Sequence, residues 1–117
     1  MVFIPLFLGC QVLALGGAGV VGAYAWINGN LTRNYAQPLE TAWEGTMHAV
    51  RTLRLNVVKQ KRDAFNGLID IELVKGDPMR ISLERWTDRE TRITVRVGLG
   101  DREVSIRVHE EIARSLK

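Results

Sequence analysis

Two histidines, one cysteine and a run of glycines are the residues of this chain best suited to chemistry, and their spacing argues against catalysis. His48 and His109 are the only imidazoles. Tetrahedral zinc would need both of them joined in space with Glu44, Glu110 or Glu111. No HExxH or comparable spacing links them, and His48 falls on the solvent side of a helical stripe, so no metal is expected. Covalent catalysis needs Ser, Thr or Cys beside a base that a third group orients. Ser82, Ser105 and Ser115 sit in regular elements without a GxSxG turn. Glu110 and Glu111 point about 100° apart on a helix and share no site. Gly17, Gly19 and Gly22 spell GxGxxG after an apolar run, with Glu40 at a suitable distance for a ribose contact. A dinucleotide site also needs a strand, a helix and a second parallel strand, then further βα units, which a chain of this length and pattern lacks. The single Cys10 excludes an intramolecular disulfide and any CxxC site. The expectation is a protein that is not an enzyme and takes no cofactor or small-molecule substrate.

What remains is contact chemistry. Trp86 follows Arg85 at the end of an alternating run, where an exposed aromatic suits a partner or a glycan; the alternative is a ring that covers the edge of the core. Ile106 lies off the apolar stripe of the last helix and is a third candidate for partner contact. Tyr24 and Trp26 close a long apolar segment, a position where amphipathic rings commonly sit at a membrane interface. Asn30-Leu31-Thr32 forms a glycosylation sequon, which carries no weight in a bacterial protein.

Charge divides the chain. The first 32 residues carry no charged side chain, and all 16 Lys and Arg and all 13 Asp and Glu fall between Arg33 and Lys117. The net charge of +3 and the pI near 9.4 do not make a basic patch, because acids and bases alternate from Arg80 through Glu84, Arg85, Asp88, Arg89 and Glu90 to Arg92. Such a surface maintains solubility, and no nucleic-acid partner is expected.

The elements that must position these residues follow from periodicity. Pro38 opens a helix in which Leu39, Trp43, Met47, Val50 and Leu53 share one face, with Glu40, Glu44, His48, Arg51 and Arg54 toward water. The period then becomes two. Ile69, Ile71 and Leu73, then Met79, Ile81 and Leu83, then Ile93, Val95 and Val97 alternate with polar residues, which predicts half-buried antiparallel strands. Lys75 to Pro78 and Thr87 to Thr91 read as turns, and Leu55 to Lys59 as a further strand. After Gly98 and Gly100, Val104, Val108, Ile112 and Leu116 return to helical spacing. The predicted domain, residues 28–117, is α+β: a two-layer sandwich with an antiparallel sheet of three to four strands and two helices.

Residues 1–27 precede it as an uncharged segment, which two physical objects fit. A membrane-spanning helix needs about 20 apolar residues, and the segment is long enough, although Pro5, Gly16, Gly17, Gly19 and Gly22 are weak helix formers. The other object is an export signal, with the apolar run Val2 to Leu8 ahead of Gly9 and Cys10. Leu8-Gly9-Cys10 resembles a bacterial lipobox, in which the cysteine thiol is acylated and becomes the new N-terminus.

Together with GGAGVVGAYAWINGNLTRNY, the helix opener PLETAW, the strand pair MRISLERWTDRETRITVRVG and the tail from GDRE, these residues resemble a family of small bacterial lipoproteins known as domain of unknown function 3568. The resemblance spans nearly the whole chain. It implies lipidation of Cys10, an exported domain at the periplasmic face of a Gram-negative membrane, membrane lipid and other envelope proteins as partners, and no known activity. Gln11 after the cysteine favours the outer membrane. The competing reading is a single-span subunit of an inner-membrane complex, in which Gly16, Gly19 and Gly22 let helices approach closely.

Overall fold

Period-two alternation builds the centre of the sheet. In the computed structural model, which describes residues 20–116 with side chains from Tyr24 onward, the three alternating runs are β4 (Asn66–Glu72), β5 (Pro78–Thr87) and β6 (Glu90–Val97). Their register places Ile69 beside Ile81 and Ile81 beside Val95, so one buried row crosses the strands. The expected extra strand is β3 (Asn56–Arg62), paired with β4 at one edge.

The other edge corrects the expectation of three to four strands, because among the described residues the sheet has six, in the order β1-β2-β6-β5-β4-β3. β1 (Val20–Ile27) and β2 (Asn30–Tyr35) form an antiparallel hairpin joined by Asn28 and Gly29, whose φ angles are 51° and 85°. Positive φ at both central residues is the type I′ turn that Asn-Gly favours and that matches the twist of paired strands. A Cβ on Gly29 would also meet the Leu99 carbonyl oxygen at 3.1 Å. β2 buries Leu31 and Tyr35 but carries Arg33 between them. That cation on the inward face hid the alternation, while the apolar composition of β1 read as a continuation of the leader.

Both helices match their predicted stripes. α1 (Leu39–Thr52) buries Leu39, Trp43 and Val50, and widens the stripe with the small residues Ala42, Gly45, Thr46 and Ala49. Leu53 is not on the buried face: it is the C-cap and is exposed. The helix stops because Arg54 turns left-handed at φ 54°, with Arg54 N–H bonded to the Arg51 carbonyl and Leu55 N–H to the Val50 carbonyl, the Schellman pattern. α2 (Arg102–Ser115) starts at Asp101, whose carboxylate accepts from the Val104 amide at 3.2 Å.

α1 and α2 cover one face of the sheet, α1 over β5 and β6 and α2 over β6 and β2. The core lies between the layers. Among the described residues no element covers the opposite face, which is crossed by polar pairs such as Arg80–Asp70 at 2.8 Å and Thr32–Thr94 at 3.0 Å. Among the described residues no helix is long and apolar enough to cross a membrane.

Candidate functional site

The two histidines have separate fates. His48 is exposed on α1, its Nδ1 3.1 Å from the Ser115 hydroxyl. His109 faces the sheet from α2 and is fully buried. Its Nε2 lies 2.8 Å from the Leu31 carbonyl, which can only accept, so Nε2 carries the proton and Nδ1 accepts from the Tyr35 hydroxyl at 2.7 Å. Burial pushes the His109 pKa down to about 4, which keeps the ring neutral. The same burial raises that of the Tyr35 phenol. Both ring nitrogens are committed to structural bonds, so His109 ties α2 to β2.

Arg33 and Tyr24 flank this pair. The Arg33 guanidinium carbon sits 4.4 Å above the Tyr24 ring, and Tyr24 packs edge-on against His109 at 5.3 Å. Burial raises the Tyr24 pKa against the opposing pull of Arg33. Periodicity on the last helix did not single out His109, and the signal for its burial lay in the Asn28-Gly29 hairpin, which brings Tyr24 and Tyr35 over it. Among the described residues no three His, Cys, Asp or Glu side chains gather around a metal-sized space.

The Trp86 corner follows the alternation of β5: with Met79, Ile81 and Leu83 inward, Arg85 falls on the covered face and Trp86 on the other. The register of β5 against β6 shifts just there, between Arg85 and Thr87, which makes Trp86 the inserted residue of a bulge. Arg85 turns to the helical layer, where Nη2 donates to a Glu40 carboxylate oxygen at 3.0 Å and Nε to the Ala64 carbonyl at 2.8 Å. Hydrogen bonding from its own backbone amide, then Arg85, holds the Glu40 carboxyl below the usual range. Trp86 turns to the open face. There the Arg92 guanidinium carbon lies 3.6 Å over its ring, Arg92 Nε donates to Asn34 Oδ1 at 3.0 Å, and Asn34 Nδ2 donates to Glu90 Oε2 at 2.6 Å. Trp86 keeps 47% of its surface in solvent. The result is a flat apolar ring held in place by a charged and amide ladder.

Of the other predicted residues, Ile106 is partly buried on α2, in the layer opposite the open face, and does not join Trp86. Tyr24 and Trp26 both stand on β1, Tyr24 partly buried against His109 and Trp26 at 36% exposure with Arg102 5.9 Å from its ring. Cys10, Gly17 and Gly19 lie outside the described residues, and Gly22 stands within β1.

Fold and site together define a two-layer α+β domain whose one buried histidine is structural and whose distinctive surface feature is an aromatic corner on an open sheet face. The chain belongs to the protein family of unknown function DUF3568, whose family model matches residues 2–115. No curated protein matches it.

Proposed function

We propose that this chain is an envelope lipoprotein: an exported domain acylated at Cys10 and held at the periplasmic face of a bacterial membrane, the outer membrane in the reading of Gln11. The domain acts there as an accessory or scaffold that contacts other envelope components and performs no catalysis of its own. The observation that carries this reading is the charge boundary at Arg33 combined with a lone cysteine behind Leu8-Gly9 in the uncharged part. Acyl chains contribute about 0.8 kcal/mol per buried methylene, so two or more anchor a small domain without a spanning helix.

The single-span reading uses Gly22, Tyr24 and Trp26 in a membrane helix and its interface. Val20–Ile27 pair with β2 as a strand, and residues held in a sheet are not available to a helix, which supports the lipid anchor instead. Intact mass of the protein purified from membranes tests the choice. An N-terminus at Cys10 with added acyl mass is the expected result; a chain that retains Met1 without acyl mass would overturn it. Cys10→Ala should shift the protein out of the membrane fraction or leave it unprocessed.

A further inference from the structure

Glu84 and Trp86 stand on the same face of β5, about 7 Å apart along the strand, and the register lays a row of polar side chains beside them. Asn34 pairs with Arg92, Arg92 with Glu84, and Glu84 with Asn66. Amide, guanidinium, carboxylate and amide thus follow one another across four strands. By alternation all four point away from the helices, since their chain neighbours Tyr35, Ile93, Leu83 and Gly67 are buried. Trp86 lies over Arg92, which Asn34 holds in place and Glu90 secures through Asn34. The guanidinium occupies one side of the indole, so the 47% of Trp86 that stays in solvent belongs to its other side and rim. A cleft of about 560 Å³ continues the row, lined by Lys61, Leu68 and Ser82 and sharing Asn66 and Glu84 with it. That volume suits a ligand site.

The chemistry of this surface selects its ligand. Lys61, Arg62 and Arg92 stand against Asp63, Glu84 and Glu90, so no net charge draws an anion or a cation. Of the side chains turned to this face of the cleft, Leu68 alone is aliphatic, and it is half-buried. A protein partner would look for a larger apolar anchor site. What the surface offers is one aromatic platform and, beside it, acceptors and donors in fixed positions. Carboxylate and amide oxygens accept from hydroxyls, and guanidinium and amide N–H groups donate to them. The face of an indole is electronegative, and the C–H groups on the flat side of a pyranose present the opposite polarity.

We propose that this surface binds a neutral glycan, with one pyranose stacked on the free side of Trp86 and the next units lying over Glu84 and Asn66 toward the cleft. Partners held in place before binding lower its ordering cost. A glycan strand is the class of envelope component that the scaffold reading leaves open. The inference rests on that reading for where the strand is met, and on the geometry alone for its binding.

Titration of the full, membrane-purified chain with chitohexaose and with cellohexaose, in a detergent without a sugar headgroup, tests this by calorimetry and saturation-transfer NMR. Either or both should bind, with transfer strongest at the ring C–H protons of the sugar. Trp86→Ala should weaken the affinity at least about tenfold, the loss that follows removal of an aromatic contact, and Trp86→Phe should keep part of it. Glu84→Ala, at a second exposed position, should weaken it about threefold or more. Trp26→Ala, at the exposed tryptophan of β1, should leave it unchanged. Far-ultraviolet circular dichroism should be the same for all of these variants. Binding of neither oligosaccharide, or binding that Trp86→Ala leaves intact, would overturn the site. So would Trp86-dependent binding of polyglutamate or polylysine in place of both sugars. The intact mass of the same sample keeps the two readings apart: acyl mass without glycan binding overturns the site alone, and glycan binding by a chain that retains Met1 without acyl mass overturns the anchor while supporting the site.

Discussion

Tyr35 and His109, 74 residues apart, share a buried 2.7 Å hydrogen bond that joins the second strand to the last helix. The phenol donates to a ring nitrogen that has no other partner. Tyr35→Phe leaves that nitrogen buried and unsatisfied, so a loss of about 1–3 kcal/mol is expected, read as a lower urea midpoint with an unchanged denaturant slope.

The same ring makes stability depend on pH. An unfolded histidine titrates near 6.5, and burial lowers His109 to about 4. The folded chain therefore binds this proton less readily than the unfolded one. Its full contribution is present above about pH 6.5, is lost as the pH falls toward 4, and stays lost below. The difference amounts to roughly 3 kcal/mol. The depressed carboxyls of Glu40, Asp63 and Asp70 withdraw their contribution only from about pH 4.5 downward. Urea melts across the intervening window should show the slope in the natural chain and a flat line in His109→Gln; a slope that survives the substitution would assign it elsewhere.

Gly67 is required by an aromatic ring. A Cβ at this position in β4 would lie 2.8 Å from Cε3 and Cζ3 of Trp43, whose side chain is buried. Gly67→Ala should cost about 1–3 kcal/mol through overpacking, despite the better strand propensity of alanine. Pairing it with Trp43→Leu in a double-mutant cycle should show coupling of at least about 0.5 kcal/mol, as residues in contact do.

Two tryptophans test surface against core. Trp43→Ala should cost about 3–5 kcal/mol, the range for a buried aromatic. Trp86→Ala should cost no more than about 1 kcal/mol, the scale of an exposed cation–π contact with Arg92. A large thermal shift for Trp86→Ala would mean that the ring covers the edge of the core, the alternative weighed from the sequence.

The start of the folded unit is also testable. A chain begun at Asn28 lacks β1 and strips Tyr24 from His109, while one begun at Val20 keeps the hairpin. Amide exchange should protect β2 in the second and leave it fast-exchanging in the first, since β2 then becomes a bare edge with Arg33 on its inward face.

Legibility followed how local each signal was. The stripe from Leu39 to Val50 and the alternations through Ile69, Ile81 and Val95 are complete within a few residues, so they predicted α1, β4, β5, β6 and α2 with their inward faces. Asn28-Gly29 was equally local, and it marked the β1–β2 hairpin at positions that composition alone assigned to the end of a leader. Arg33 worked the other way, interrupting a strand pattern with a charge that lies over the Tyr24 ring of the neighbouring strand.

By itself the sequence determined the α+β class, the two amphipathic helices, three of the six strands with a fourth beside them, and the boundary at Arg33 between uncharged and charged chain. These depend on period and composition, properties that each segment carries alone. Tertiary structure decided that Val20–Ile27 are strand, that His109 is buried between Leu31 and Tyr35, and that Arg92 stacks on Trp86. Each of those depends on a partner in another element, and no pattern within a single segment records which partner packs against it.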